Sequence, residues 1–511
     1  MSRASFLAGA GLALWGAAFA QDSVAPKPNI VLFLVDDMGW QDTSVPFHSE
    51  VTPLNERFHT PNMERLADKG VKFTSAYASS ISSPSRCSLL TGMNAARHKV
   101  TNWTLDYNKS TDEADPDIIL PQWNVNGIQP VGGIEHSAEA TPFVSLLRDG
   151  GYHTIHCGKA HFGAIGTPSA DPLTMGFDVN ICGHAGGGLA SYLGEQRYGH
   201  DAEGKALSKF SIPGLEKYWD TDTFATEALT IEALKALDNN RGSGKPFFLY
   251  MSHYAVHVPI QADKRFLQKY LDAGLSPLEA AYATLVEGMD KSLGDIMDYL
   301  EANGEADNTI IIFMSDNGGL AALGRTPPLG VQNAPLRSGK GSAYEGGVRE
   351  PMIVYWPGVT DKGSVIDNCI AIEDFYPTIL EMAGVEDYAT VQTVDGRSFA
   401  NLLRGETEAE PRTLYWNTPN TWISGDLLDQ GIGQTCAVRS GDYKLIYFYK
   451  TGKKELYNIA QDVSETHDLA AELPEVTERL SRELGQYLRS VGAQRPSFAA
   501  DSRPCPWPDE I

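Results

Sequence analysis

The chain alternates between short, continuous apolar runs and longer stretches in which apolar residues recur every three or four positions. Asn29–Val35 (NIVLFLV) and residues 246–251 (PFFLYM), 309–314 (TIIIFM) and 352–356 (MIVYW) are runs of the first kind. A half-solvated antiparallel strand would alternate apolar with polar, so these runs predict buried strands of a parallel sheet. A helix is expected to open at Thr60-Pro61, a cap residue followed by a first-turn proline. Residues 141–148 predict a second helix, stopped by Gly150-Gly151, and the alanine-rich residues 220–237 a third. Between residues 282 and 300, Leu285, Val286, Met289, Leu293, Ile296, Met297 and Leu300 trace one apolar face of a fourth. Strands alternating with helices predict an α/β fold, a large, mostly parallel (mixed) sheet flanked by helices.

Beyond about residue 404 the pattern changes. Residues 413–416, 435–439, 443–449 and 455–457 read as short strands separated by turn residues such as Ser440-Gly441-Asp442, with a last helix over 474–491. Residues 24–403 are therefore expected to carry the parallel sheet, and 404–511 a smaller α+β unit with an antiparallel sheet. Residues 1–20 read as a secretory signal. Arg3 supplies the positive start, an apolar stretch runs from Phe6 to Phe19, and Ala18-Phe19-Ala20 precedes Gln21. That stretch is short for a membrane span of about 20 residues. Export to the bacterial periplasm or medium is expected, with no membrane span after cleavage.

Six cysteines, at 87, 157, 182, 369, 436 and 505, include no C-x-x-C pair and so give no sign of structural zinc. Disulfides and buried thiols both remain open. The net charge of −24 argues against a nucleic-acid partner. It also repels anionic substrates at long range, so such a substrate would require a locally basic pocket.

Ligands of open α/β sheets bind at the carboxyl ends of strands. Asp36-Asp37, the stretch from His253 to His257, and Asp316-Asn317 each follow an apolar run directly, so three strand ends are expected to bring chemically useful groups to one edge.

Residues 82–92 read Ser-Ser-Pro-Ser-Arg-Cys-Ser-Leu-Leu-Thr-Gly. This resembles the signature of the type I sulfatases, [Cys/Ser]-x-Pro-Ser-Arg-x-x-x-Leu-Thr-Gly, a member group of the alkaline phosphatase superfamily. Its seven specified positions would match by chance on the order of one time in a billion. The resemblance runs through nearly the whole mature chain. Asp36-Asp37 and Asp316-Asn317-Gly318 match the family's two pairs of metal ligands, a hard oxygen set suited to one Ca²⁺ together with the nucleophile. Asn317 stands where related phosphatases with two zinc ions carry histidine. Gly158-Lys159-Ala160-His161-Phe162-Gly163 resembles Gly-Lys-Trp-His-Leu-Gly, with Ala160 in place of Trp. His257 matches the His-x-Pro histidine, and Lys340 lies in a matching block ending at Arg349.

The resemblance implies that Ser82 is oxidised to formylglycine by a maturation enzyme, the serine-type branch of the family. One hydroxyl of the hydrated aldehyde attacks sulfur, and deprotonation of the second releases sulfate. Arg86 would steady the nucleophile and the metal ligands, and Lys159 would bind sulfate and the formylglycine oxygen. His161 would act as base, His257 would contact the bridging oxygen, and Lys340 would bind sulfate and protonate the leaving alcohol. Asp316 is a candidate to take the attacking hydroxyl's proton. Arg337, Glu345 and Arg349 are expected to brace their loop, and His253 to lie outside the site. The substrate implied is a sulfated small molecule or glycan, with residues 36–47 resembling bacterial enzymes that act on sulfated galactose-type glycans. Residues 101–137 and the glycine-rich stretch 184–188 are candidate specificity loops. Two other readings stay open: a phosphate ester hydrolase using Ser82 directly, and an inactive protein that binds sulfated glycans.

Overall fold

The computed structural model describes Met1 and residues 26–321, 324–325, 328, 330–407 and 412–511. The signal expected over residues 1–20 lies outside the described residues apart from Met1. The main sheet is built from β1 (Asn29–Val35), β2 (Val71–Tyr77), β3 (His153–Gly158), β4 (Val179–Ile181), β5 (Phe247–Ser252), β6 (Thr309–Ser315), β7 (Arg349–Tyr355), β8 (Ser364–Ile366) and β9 (Ile370–Ala371). Its order is β8-β2-β7-β6-β1-β5-β3-β4, with β9 also on β2. β1 sits at the centre, parallel to β5 and β6, and β3 is parallel to β5. Side chains alternate along β1: Val31, Phe33 and Val35 enter one core, and Ile30, Leu32 and Leu34 the other. Helices cover both faces, which is why β1, β5 and β6 read as unbroken apolar runs.

The first core is closed by α1 (Pro61–Lys69), α4 (Ala225–Asn240) and α5 (Pro277–Ala302); the second by α2 (Ser82–Thr91), α3 (Phe143–Asp149) and α6 (Phe375–Met382). The seven apolar residues predicted along α5 are all buried. α4 begins five residues later than predicted, because Asp220 adopts φ +58° and its carboxylate holds Arg197 at 2.9 Å, leaving residues 220–224 outside the helix.

β7 begins three residues before the predicted run and is antiparallel to both neighbours, which makes the sheet mixed. Pro351 cannot donate to the ladder, and the register against β2 shifts between Glu350 and Met352. β2 (VKFTSAY) and β3 (HTIHCG) carry too many polar residues to announce themselves as central strands. Their polar groups are satisfied locally: Thr154 Oγ1 donates to Gly176 O at 2.8 Å.

Beyond the helix Ala400–Leu403, four strands form an antiparallel sheet: β10 (Thr413–Thr418), β11 (Thr435–Ser440), β12 (Tyr443–Phe448) and β13 (Lys454–Asn458). Ser440 pairs with Tyr443, so Gly441-Asp442 forms a two-residue hairpin loop with Gly441 at φ +59°. α7 (Pro474–Ser490) packs Leu480, Leu484 and Leu488 onto this sheet. Cys87, Cys157, Cys182, Cys436 and Cys505 are buried free thiols, which decides the cysteine question for these five in favour of packing.

Thr60 makes no side-chain cap on α1. Asp290, on α5, does this instead: its carboxylate accepts from Met63 N at 2.7 Å and Asn62 N at 3.0 Å. This fixes α1 to α5 and satisfies donors the helix cannot satisfy itself. Asp290→Ala should cost about 1–3 kcal/mol by orphaning buried donors. Thermal unfolding followed by circular dichroism should show a lower midpoint with unchanged catalytic turnover.

Candidate active site

β1, β3, β5 and β6 are adjacent, run the same way and end in register: Val35 opposite Ser315, and Ser252 opposite Leu34 and Gly158. The next residues along are therefore Asp36-Asp37, Lys159, His253 and Asp316-Asn317, all on one edge. β2 runs parallel to β6, one strand away, and residues 78–81 lead from its end into α2, whose first residue is Ser82.

The residues of α2 explain its pattern. Ser85 Oγ accepts from Ser79 N at 3.0 Å and donates to Ser79 O at 3.2 Å, which closes the entry loop. Arg86, one turn after Ser82, shares its face. Gly92 ends the helix at φ +67°, where an added Cβ would meet Val394 Cγ1 at 2.8 Å. Cys87 faces the apolar core, where burial pushes its thiol well up, so it is removed from any role as nucleophile.

Ser82 Oγ lies 3.1 Å from both Asp36 Oδ1 and Asn317 Oδ1, and Lys159 Nζ donates to it at 2.9 Å. Lys159 also bonds Asp36 at 2.7 Å, Lys340 bonds Asp37 at 2.6 Å, and Arg86 Nε bonds Asp316 at 2.8 Å. Arg86 Nη1 is held by Lys159 O and Ser252 Oγ. Asp36, Asp37 and Asp316 are buried, with ligand oxygens within 4.8 Å of one another. Asn317 Nδ2 donates to Asp37 at 2.8 Å, which points its Oδ1 at Ser82. Three carboxylates thus face three cations, and the cluster has no excess positive charge from protein groups.

Burial lowers the pKa of Lys159, with Asp36 opposing. Burial also works against the charge on Lys340, but Asp37 and Asp36 outweigh it and raise that pKa. In His161, burial together with Lys159 and Arg86 drives the pKa well below its ordinary value, so the ring is neutral. His161 Nε2 lies 3.0 Å from Thr104 O and so carries the proton; Nδ1 is buried with no partner, a free basic atom. His257 is pushed down to about 3 by burial and Lys340; its Nδ1 lies 2.8 Å from Val258 O, and its Nε2 3.7 Å from Asp37.

Ser82, His161, His257 and Lys340 line a cavity of about 340 Å³. The two segments expected to set specificity supply part of the rest of its wall, and other parts of the chain that the sequence pattern did not mark supply more. Trp103 and Glu113 come from the long segment expected to set specificity, Gly187 and Gly188 from the glycine-rich stretch, Phe210 from a neighbouring loop, and Trp422 from the smaller unit. The Trp422 ring lies 5.7 Å from Lys340 Nζ. Also missed was Glu350, buried behind the cluster, whose carboxyl is driven well up by burial and then by Asp316 and Asp37. Outside those two segments, no sequence signal separates Phe210, Trp422 or Glu350 from ordinary core and loop positions. His253 does lie outside: it bonds Ser292 Oγ at 2.8 Å and packs on Phe33. Arg337 spans to the smaller unit through Tyr457 and Glu465, and Arg349 bonds Glu345, so both brace the loop.

A hydroxyl held by a lysine beside converging carboxylates, under a neutral histidine, is equipment for transferring an anionic ester group, and with this sheet it makes the chain an α/β ester hydrolase. Comparison with known proteins narrows the class. The Sulfatase family model matches residues 28–385, and a model described as N-sulphoglucosamine sulphohydrolase, C-terminal, matches 339–492. A Sulfatase of Formosa agariphila is 29% identical over 94% of this chain and 92% of its own. Human N-acetylgalactosamine-6-sulfatase is 34% identical over 77% of this chain and 69% of its own. The crystal structure of Ps i-CgsB in complex with k-i-k-neocarrahexaose superposes with a TM-score of 0.71 at 27% identity, covering 90% of this chain and 93% of that one. The chain belongs to the sulfatase family and is a sulfuric ester hydrolase.

Gly187 packs on the His161 ring: a Cβ there would lie 2.2 Å from Cε1. Gly187→Ala should displace the imidazole and lower sulfate release about 100-fold, with circular dichroism unchanged. Activity within a few-fold of the parent would remove His161 from the reaction.

Proposed function

We propose that this chain removes sulfate from a sulfated carbohydrate of the galactose type, with Ser82 matured to formylglycine and one Ca²⁺ held by Asp36, Asp37, Asp316 and Asn317. The observation that carries the reading is the position of Ser82 Oγ, 2.9 Å from Lys159 Nζ and 3.1 Å from Asp36 and Asn317. One atom there joins the nucleophile, the anion-binding lysine and the metal donor set.

The donors fit the ion. Three carboxylates and an amide oxygen are hard ligands, and imidazole is absent from the set. The charge balance argues the same way: with Lys159, Lys340 and Arg86 each engaged by a carboxylate, a divalent cation supplies the positive field that an anionic substrate requires in a chain of net charge −24. The hydrated formylglycine supplies two hydroxyls, one to attack sulfur and one whose deprotonation expels sulfate.

The chain's own residues do the remainder. Lys159 binds the nucleophile's oxygen and a sulfate oxygen. His161, neutral and with Nδ1 free, takes a proton. Lys340, kept protonated by Asp37, stands on the cavity wall beside His257 and gives a proton to the leaving alcohol. Arg86 fixes Asp316 from behind. Trp103, Trp422 and Phe210 offer flat apolar surface to the C–H face of a sugar ring, and Glu113 a hydrogen-bond acceptor for its hydroxyls. The N-acetylgalactosamine-6-sulfatases among the relatives support a galactose-type ring. The secretory pattern of residues 1–20 supports action in the periplasm or medium, after encounter with a maturation enzyme. Among the described residues no helix is long and apolar enough to cross a membrane.

Mass spectrometry of the peptide spanning Ser82, on protein from the native host, should show a loss of about 2 Da, two hydrogens. An unmodified serine, with phosphate rather than sulfate released from matched sugar esters, would sink the reading in favour of a phosphate ester hydrolase. Separately, a chelator should lower the melting temperature as well as the activity. Ca²⁺ at about 100 times its dissociation constant should restore about 2.7 kcal/mol of stability. A melting temperature indifferent to chelator and Ca²⁺ would exclude an ion at the three carboxylates.

A further inference from the structure

A second cavity, of about 810 Å³, lies between the β2 side of the main sheet and the smaller unit. Lys72, Arg349, Arg412 and Arg439 line it, with the exposed Asp367 and Asp442 as its acids. This excess of cations stands out in a chain of net charge −24.

The four cations are not equally compensated. Arg412 holds Asp374 at 2.5 Å, and Arg349 is used by Glu345, Thr74 O and Ser75. Lys72 donates to Pro46 O. Arg439 is different: its side chain is 8% exposed, and its Nε and Nη1 are buried with no hydrogen-bond partner. The nearest carboxylate oxygen, Glu345 Oε2, is 3.8 Å away and already accepts from Tyr77 at 2.7 Å and Arg349 at 3.2 Å. Burial lowers the Arg439 pKa to about 10, which still leaves it charged at neutral pH. Arg412 Nε is likewise buried and unpartnered. Buried guanidinium donors left unsatisfied are unfavourable unless a ligand meets them, and planar guanidinium is the group best shaped for a bidentate oxyanion.

We propose that this cleft is a second oxyanion site, in which Arg439, assisted by Arg412 and Lys72, holds a sulfate group apart from the one being hydrolysed. Its source is either another sulfate of a long glycan or free inorganic sulfate. The volume, larger than that of the active-site cavity, accommodates more than a bare anion.

The test is isothermal titration of the Ser82→Ala chain, which cannot turn over, and of its Arg439→Gln and Lys72→Gln derivatives. The probes are sodium sulfate and a chondroitin 6-sulfate hexasaccharide. Arg439→Gln should remove one sulfate equivalent from the stoichiometry, and Lys72→Gln should weaken that same equivalent about tenfold. Lys72 is only half-buried, so its variant keeps the test decisive if Arg439→Gln does not fold. If the hexasaccharide also loses affinity in these variants, the bound group is glycan-borne; if only inorganic sulfate does, the site takes the free anion. Unchanged stoichiometry and affinity for both probes in the variants would overturn the proposal.

Discussion

Three carboxylates buried within 4.8 Å of one another repel, and the molecule is organised around meeting that cost. Desolvated like charges are tolerated only beside cations of fixed geometry, because an unpaired buried charge costs several kcal/mol. Lys159, Lys340 and Arg86 each approach one carboxylate, and each comes from a different part of the chain: the end of β3, the loop before β7, and α2. The parallel register of β6, β1, β5 and β3 sets where the carboxylates stand, and the loops bring the cations to them. A shift of one residue in any of these strands would move its site residue off the edge and turn its core side chains to the wrong face.

The same arrangement joins stability to chemistry. Charge matched one for one leaves the cluster close to neutral, so the protein's own attraction for an anionic ester rests on the start of α2 and the lysines' spare donors, to which the proposed cation would add. The smaller unit belongs to this design, because Trp422 closes the cavity over Lys340, and Arg337 and Lys444 tie its strands to the loop before β7.

Legibility in the sequence followed physical constraint. β1, β5, β6 and α5 were plain because burial on both faces, or on one helical stripe, dictates which residue types fit. β2 and β3 were not, since their polar residues make hydrogen bonds that no periodicity records. Ser82, Asp36-Asp37, Lys159, His161, Asp316-Asn317, His257 and Lys340 were all visible, because each lies in a short motif whose spacing the chemistry restricts. Trp103 and Glu113 were legible only as part of a candidate specificity segment, and Phe210 and Trp422 not at all, because a loop residue facing a cavity looks the same in sequence as one facing solvent.

By itself the sequence determined the fold class, a candidate nucleophile and the identities of the charged groups, since burial and reaction chemistry act on residue types at fixed local spacing. Only the tertiary structure decided which cation meets which carboxylate, which nitrogen of His161 is free, that Asp290 rather than Thr60 caps α1, and that Nε and Nη1 of Arg439 lack hydrogen-bond partners beside a second cleft. Those outcomes depend on distances of about 3 Å between segments tens to hundreds of residues apart. No local pattern encodes such distances; the register of the sheet and the packing of both cores set them.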